Sequence, residues 1–227
     1  MRFRRVEKFS SSITKGLLPS QQSTFSHIVS SMLLCRCLCL AELARCLNSK
    51  TDFRHNLKRV WRFVSNHRIN QRSSKEIIAR RLLLQLHHRQ QLKPSQPLEI
   101  IIDWTTVWPY QVLQALLPLD GRAVPILSWS APRGTLTLRQ NTFEMGFLAS
   151  LRRCLPKHWK VVIVADRGFG RVELMRYIKS IGLSYVIRVK GDAWIKSGRF
   201  EGKVRDYPLS TGQCFKLSDV IYHKSKK

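Results

Sequence analysis

The sequence predicts a chain in two parts: a small all-α region, followed by a mixed α/β domain with the element order βββαβαβ. Three observations support this prediction. Residues 1 to about 90 show helical periodicity, the segment Lys93-Pro94-Ser95-Gln96-Pro97 contains strong breakers, and two apolar runs beyond it each end in an aspartate. We therefore expect a helical domain over residues 1–92, a linker over 93–97 and an α/β core over 98–227.

The helical region contains three predicted helices. The first begins at Ser23-Thr24-Phe25 and continues through spaced leucines to Leu47. A turn over residues 48–52 follows, in which Thr51 or Asp52 caps the second helix. The third helix spans roughly 73–90 and carries no acid after Glu76.

The second helix carries the predicted DNA-binding surface. Its apolar stripe consists of Leu57, Val60, Trp61 and Val64. The basic residues that we expect to contact DNA are Arg54, Lys58, Arg59, Arg62 and Arg68. A basic amphipathic helix in a small bundle is what a helix-turn-helix-like DNA-binding domain requires. The alternative is a solvated charged face, but the scarcity of compensating acids favours DNA.

The composition independently indicates a polyanionic partner. The 227 residues include 40 Lys and Arg against 14 Asp and Glu, which gives a formal net charge of +26. A hydrophobic content of 44% excludes a disordered basic tail. Nucleic acid is the natural partner, because neutralising phosphates releases counterions. A ribosomal-type structural protein and a peripheral membrane protein are alternatives that charge alone leaves open.

The sequence predicts neither membrane insertion nor secretion. The one candidate for a membrane segment, Ile28–Leu47, is interrupted by Arg36, Glu42 and Arg45, and the basic N-terminus lacks the apolar core and cleavage site of a signal peptide. We therefore expect a cytoplasmic protein with no membrane partner. The cysteines have no histidine at zinc-ligand spacing, so we expect them to be reduced, buried and without metal. They are Cys35, Cys37, Cys39, Cys46, Cys154 and Cys214.

Five strands and two helices are predicted beyond the linker. Continuous apolar runs indicate buried strands, and the pair Asp120-Gly121 indicates a hairpin turn. In chain order the elements are strands over 98–103, 107–119 and 122–129, a helix over 141–155, a strand over 160–166, a helix over 171–181 and a strand over 183–189.

Asp103 and Asp166 each follow a predicted buried strand. If the first and fourth strands are parallel neighbours, the two carboxylates converge at the carboxyl end of the sheet. Their oxygen atoms suit Mg²⁺ or Mn²⁺, and two such ions can activate a hydroxyl and stabilise a leaving oxygen in phosphodiester transfer. The alternative is that either aspartate caps a helix or pairs with an arginine such as Arg167.

The chain resembles the ribonuclease-H-like core of DDE transposases of the IS4-type insertion-sequence family. The resemblance rests on Ile101-Ile102-Asp103-Trp104-Thr105, Val164-Ala165-Asp166-Arg167-Gly168-Phe169-Gly170, Arg188-Val189-Lys190-Gly191 and, in the helical region, residues 57–66. It implies metal-dependent DNA strand cleavage at terminal inverted repeats, followed by strand transfer into a target, in the prokaryotic nucleoid. It also implies Asp103 and Asp166 as the first and second catalytic acids, Mg²⁺ or Mn²⁺ as cofactor, and a homodimer on paired double-stranded transposon ends.

The third acid of the family has no clear counterpart. Tyr185, Arg188, Asp192 and Arg199 match the spacing of the family's Tyr-x2-Arg-x3-Glu-x6-Lys signature, but they follow a strand pattern, so we expect Asp192 in a turn. Glu173 is expected in the first turn of a helix. Relative to the family, the core looks truncated, at the start of a β-rich insertion after about residue 195. We expect DNA binding with little transposition by this chain alone; a non-catalytic DNA-binding remnant and a structural RNA-binding protein are the alternatives.

Overall fold

The computed structural model of the chain describes residues 2–14, 17–66, 69, 71–89, 96–198 and 200–223. The chain divides into two compact units, Met1–Ile78 and Ala79–Lys227. The division falls inside helix α5 (Gln71–Arg89) and not at the predicted linker. The physical reason is that Ala79 and Leu83 of α5 are fully buried in the hydrophobic core of the second unit. Most of the predicted linker, residues 93–95, lies outside the described part.

The first unit consists of helices. They are α1 (Arg2–Ile13), α2 (Pro19–Cys35), α3 (Leu40–Arg45), α4 (Phe53–Val64) and the beginning of α5. The predicted single helix over residues 23–47 is wrong, because the chain leaves α2 at Arg36, which adopts a left-handed conformation with φ of 49°. Its N–H bonds back to the Met32 carbonyl and closes the last turn of α2.

The cysteines between α2 and α3 are less buried than expected. Cys37 and Cys39 lie in the non-helical connection, where the Cys39 N–H donates to the Cys37 Sγ at 3.3 Å. Cys39 and Cys214 are exposed, and Cys154 is buried. The prediction of buried cysteines is therefore wrong for most of the six, although all of them are free thiols.

Helix α4 is capped by Asp52, one of the two predicted caps, whose side chain accepts from the His55 backbone N–H at 2.8 Å. Its buried face differs from the predicted stripe. Val60 is fully buried, and Leu57 and Phe63 pack against the same cluster, but Trp61 is 58% exposed and Val64 is 55% exposed. The contact with the bundle is centred on Val60, so Trp61, one residue and about 100° further around the helix, projects to solvent.

The second unit is built on a five-stranded mixed sheet in the order β3-β2-β1-β4-β5. Its elements are β1 (Leu98–Val107), β2 (Tyr110–Leu119), β3 (Arg122–Pro132), α6 (Gln140–Cys154), β4 (Val161–Ala165), α7 (Val172–Ser180) and β5 (Ser184–Ile187). The predicted order βββαβαβ is confirmed. Strands β1, β2 and β3 are antiparallel, whereas β4 is parallel to both β1 and β5.

One face of this sheet is deeply buried. Ile100, Ile102 and Ile163 lie there in one cluster with buried side chains of both helices, which include Phe147, Leu151, Leu174 and Ile178. On the opposite face Ile101, Val162 and Val164 are half-buried. After β5 the chain forms a separate three-stranded antiparallel sheet from β6 (Trp194–Ser197), β7 (Phe200–Lys203) and β8 (Ile221–His223). In the described part of the chain, no helix combines the length and the apolar character needed to cross a bilayer.

Candidate active site

The two predicted catalytic acids follow the parallel ladder that joins β1 and β4. The last parallel partners are Ile102 and Ala165; Asp103 is the next residue on β1, and Asp166 directly follows the end of β4. The predicted neighbourhood of the first and fourth strands is confirmed. One detail differs: β1 does not end at Asp103 but continues to Val107, because residues beyond Asp103 pair with β2.

The segment after β4 explains the local sequence around Asp166. Asp166 caps a 3₁₀ turn (Arg167–Phe169), and its Oδ1 accepts from the Gly168 N–H at 2.9 Å. A Cβ atom on residue 168 would lie only 3.0 Å from that oxygen, so glycine permits the close approach. Phe169 is buried in the core and anchors the turn. The capping alternative for Asp166 is therefore real, and it uses one of the two carboxylate oxygens.

Both carboxylates are exposed and keep an oxygen for other partners. Asp103 Oδ1 accepts from the Trp104 N–H at 2.9 Å, much as Asp166 Oδ1 accepts from Gly168. Within the described ranges, no donor bonds to either Oδ2 and no arginine pairs with either acid. The same ranges contain no group of three or more His, Cys, Asp or Glu side chains able to hold a metal ion.

A buried acid that the sequence analysis missed lies beside these residues. The side chain of Glu144 in α6 is only 1% exposed. It accepts from the Trp104 indole N–H at 2.9 Å and from Gln140 Nε2 at 2.8 Å, and it forms an ion pair with Arg171. The sequence could have indicated this acid, because Glu144 lies between Phe143 and Phe147 on an apolar helix face. A carboxylate buried there needs hydrogen-bond or charged partners.

The Glu144 network connects the two acid-bearing segments. Trp104 follows Asp103 directly, and Arg171 Nη1 donates to the Gly168 carbonyl at 2.7 Å, in the turn that Asp166 caps. Residues 103–104, 144 and 166–171 therefore form one hydrogen-bonded assembly. Glu144 thus binds Trp104, which follows Asp103, and Arg171, which contacts the turn capped by Asp166. These contacts fix both acid-bearing segments relative to α6.

Positive charge surrounds the Asp166 turn. Arg167, Arg171 and Lys190 line a cavity of about 140 Å³ together with Asp192 and Tyr222. The Tyr222 hydroxyl donates to the Gly170 carbonyl at 2.9 Å. Burial, and secondarily the negative charge of Asp192, raise the pKa of Tyr222 above its ordinary value of 10.0, so this hydroxyl keeps its proton at neutral pH.

The remaining candidate acids behave as the sequence predicts. Tyr185 lies in β5 and Asp192 in a turn, so the near match to the family signature does not form a helical face. Arg199 lies outside the described residues. Glu173 is in the first turn of α7 and accepts from Asn141 Nδ2 at 2.9 Å.

The predicted DNA-binding residues fall into two groups. Arg54, Lys58 and Arg62 are exposed on α4, whereas Arg59 is half-buried against α2. The Arg59 Nε donates to Thr24 Oγ1 at 2.9 Å, and its Nη2 lies 3.2 Å from His27 Nδ1. Arg59 therefore joins two helices of the bundle. Arg68 lies outside the described residues.

The sheet order and the helices packed on it fit the ribonuclease-H-like core of a transposase. Residues 140–225 match the family model for the transposase DDE domain, which supports a DDE transposase family. The matched region contains Asp166, Glu144 and Arg171 and begins after Asp103. Among curated proteins, none matches the chain.

Proposed function

We propose that this chain is a DNA transposase of the IS4 type, which carries out metal-dependent strand cleavage at terminal inverted repeats and strand transfer into target DNA. The observation that supports it best is the position of Asp103 and Asp166, one residue beyond the last parallel pair of β1 and β4. The match of residues 140–225 to the transposase DDE domain supports the same reaction class.

Asp103 and Asp166 are the proposed ligands of Mg²⁺ or Mn²⁺. Each is exposed and has an oxygen without a donor in the described part of the chain, and Mg²⁺ is commonly bound by one or two carboxylates together with substrate phosphates and water. A divalent ion held by these two acids would supply Lewis-acid stabilisation of the developing charge and would favour deprotonation of a water or a 3′-hydroxyl.

The chain's own residues orient the substrate. Arg167 and Lys190 are exposed beside the Asp166 turn, where a guanidinium or ammonium group can pair with phosphate oxygens. Arg171 is held by Glu144 and by the Gly168 carbonyl, so it acts as a positioning residue for the turn that carries Asp166. Fixed geometry of this kind is what lowers the entropic part of a phosphoryl-transfer barrier.

DNA binding by the first unit is the second component of the proposal. Helix α4 contains no acidic residue, and Arg54, Lys58 and Arg62 are exposed on it. These three side chains are the proposed phosphate contacts, and Arg59 supports them by joining α4 to α2. In the same proposal, two copies of the chain act as a homodimer on paired transposon ends in the cytoplasmic nucleoid. Arg68 is a further proposed DNA contact.

The test is Mn²⁺ calorimetry on the DNA-bound chain, paired with a cleavage assay on terminal-repeat duplex. Asp166→Asn keeps an acceptor for the Gly168 N–H but removes the negative charge, so we expect Mn²⁺ affinity to fall at least about tenfold because one of the two charged ligands is lost. Asp120→Asn is the matched control. Asp120 is an exposed acid at a positive φ of 46° in the β2–β3 turn, and asparagine tolerates that conformation.

A second candidate function is DNA binding without cleavage. It is favoured by the described residues, which bring no third carboxylate to Asp103 and Asp166. Wild-type chain that binds terminal-repeat DNA but neither binds Mn²⁺ nor cuts would support this candidate and contradict the first. Equal Mn²⁺ affinity in wild type and Asp166→Asn would also exclude Asp166 as a ligand.

A further inference from the structure

Strands β1 and β2 form a ribbon that extends past the two acids. Beyond Asp103, β1 continues for four residues, and the pairing with β2 runs without interruption to Val107 and Tyr110. At about 3.3 Å per residue, the ribbon reaches roughly 13 Å beyond Asp103. Its tip, Trp108-Pro109, therefore projects from the same edge of the sheet at which the carboxylates lie.

The tip is apolar, aromatic and exposed. Trp108 is 76% exposed, and its neighbours Val107 and Tyr110 are 59% and 46% exposed. The Arg133 guanidinium lies over the Trp108 ring, 5.4 Å from its centroid. The backbone N–H of Arg133 donates to the Pro109 carbonyl at 2.9 Å, and this bond attaches the chain just after β3 to the tip. The indole is thus covered on one face by a cation and open on the other.

A wide groove lies beside the tip. It has a volume of about 730 Å³ and is lined by residues that include Gln111, Arg133, Leu138, Asn141 and Arg171. Leu138 is fully exposed. Asn141 Oδ1 and Arg171 Nε are buried and have no hydrogen-bond partner in the described structure. These two atoms lie beneath the groove surface, and the charged residues that line the groove are both arginines.

From these features we propose that the ribbon tip and its groove bind a single-stranded segment of DNA next to the cleavage position, with one base stacked on the open face of Trp108. This inference rests on the proposed function. A cationic groove combined with an exposed aromatic ring is the combination that holds single-stranded nucleic acid, because the backbone is neutralised while a base stacks without sequence preference. Arg133 strengthens the stack through its cation–π contact, and its exposed guanidinium can also pair with a phosphate of the strand.

The chemistry of the surface favours DNA over a protein partner. A second copy of this chain would bring a net charge of +26 to a surface whose charged groups are arginines. A nucleic acid strand instead offers negative charge and flat apolar bases, which complement arginine and tryptophan. Self-association through the tip is nevertheless a measurable outcome of the test.

The experiment compares DNA duplexes with a blunt end and with a single-stranded overhang, in the absence of divalent metal. A 2-aminopurine base in the overhang reports stacking by the quenching of its fluorescence. We expect Trp108→Ala to lose the quenching and to lower the affinity for the overhang substrate about tenfold, the effect of losing one base–aromatic stack. Blunt-duplex affinity should change little, and Trp108→Phe should keep most of the quenching.

Arg133→Ala and Arg122→Ala form a matched pair, because they remove the same charge at opposite ends of β3: Arg122 is its first residue and Arg133 directly follows its last. Only Arg133→Ala should weaken overhang binding beyond blunt-duplex binding. Unchanged quenching in Trp108→Ala, or a change only in self-association by sedimentation, would overturn the inference. The readout needs no cleavage, so its failure leaves the proposed reaction standing, and absence of cleavage leaves this binding result standing.

Discussion

At the scale of single residues, Glu144 shows how a buried charge can organise a site without lying at its surface. Its carboxylate accepts hydrogen bonds from Trp104 and Gln140, pairs with Arg171, and is almost completely removed from water. Desolvating a carboxylate is costly unless several donors compensate it. Gln140 belongs to the same helix, but Trp104 and Arg171 come from the segments that carry the two exposed aspartates, so satisfying Glu144 also fixes the backbone of those segments.

Removing this carboxylate should destabilise the second unit and displace the site. In Glu144→Ala, Arg171 and the Trp104 indole lose their acceptor, and we expect a loss of about 3 kcal/mol in the free energy of unfolding, the low end for a broken buried pair because Arg171 remains partly hydrated. Hydrogen exchange of the β1 and β4 amides measures it. Glu173→Gln is the control: Glu173 is an exposed acid that accepts from Asn141, and its loss should cost less than about 0.5 kcal/mol. Equal effects of the two variants would contradict a structural role for the Glu144 network.

At the scale of helices, the contact between α2 and α4 includes a histidine whose neutral form is favoured, His27, which lies 3.2 Å from Arg59 Nη2. Burial, and secondarily the Arg59 charge, lower the pKa of His27 below its ordinary value of 6.5, while Glu7 acts weakly in the opposite direction. The unfolded chain therefore binds a proton at His27 more readily than the folded chain does. The resulting stability is fully present above about pH 6.5 and is lost as the pH falls toward the folded pKa.

The first unit should thus become less stable between pH 7 and pH 5.5. Hydrogen exchange of the α2 and α4 amides across this range measures the change, and His27→Gln should flatten the profile because its side-chain oxygen can still accept from Arg59. Asp52, whose pKa the His55 N–H holds below the usual 3.8, contributes only in more acidic solution. His158→Gln, in the second unit, serves as the control. A pH response that survives in His27→Gln would show that another group controls this contact.

The helices and strands also show which structural features can be predicted from the sequence. Strand β4 is a run of five apolar, mostly β-branched residues with an acid behind it, so local pattern was sufficient to place Asp166. The same reasoning ended β1 at Asp103, although Trp104–Val107 has strand propensity too and is held by pairing with β2. Glu144 could not be assigned partners, because Trp104 and Arg171 lie 40 and 27 residues away in sequence. Trp61 matched the helical period but lies outside the narrow contact centred on Val60.

At the scale of the whole molecule, a net charge of +26 is useful only where the charges are free to meet phosphate. On α4, Lys58 is exposed, whereas Arg59 is engaged with Thr24. In the same unit Arg45 forms an ion pair with Glu42 and lies over the Phe53 ring. Charge and availability are therefore different quantities in this chain.

The salt dependence of duplex binding separates these two quantities. Each phosphate contact contributes about 0.9 to the slope of log affinity against log salt, so Lys58→Gln should reduce that slope by about 1. Arg45→Gln removes the same charge from a side chain that already has a partner, and we expect it to leave the slope nearly unchanged. Titrations of terminal-repeat duplex between about 50 and 200 mM salt measure both. If α4 presents its cations to the DNA phosphates, removing one of those cations must reduce the slope more than removing a cation that is already paired elsewhere. Equal reductions would therefore mean that binding responds to total charge and that α4 is not a distinct interface.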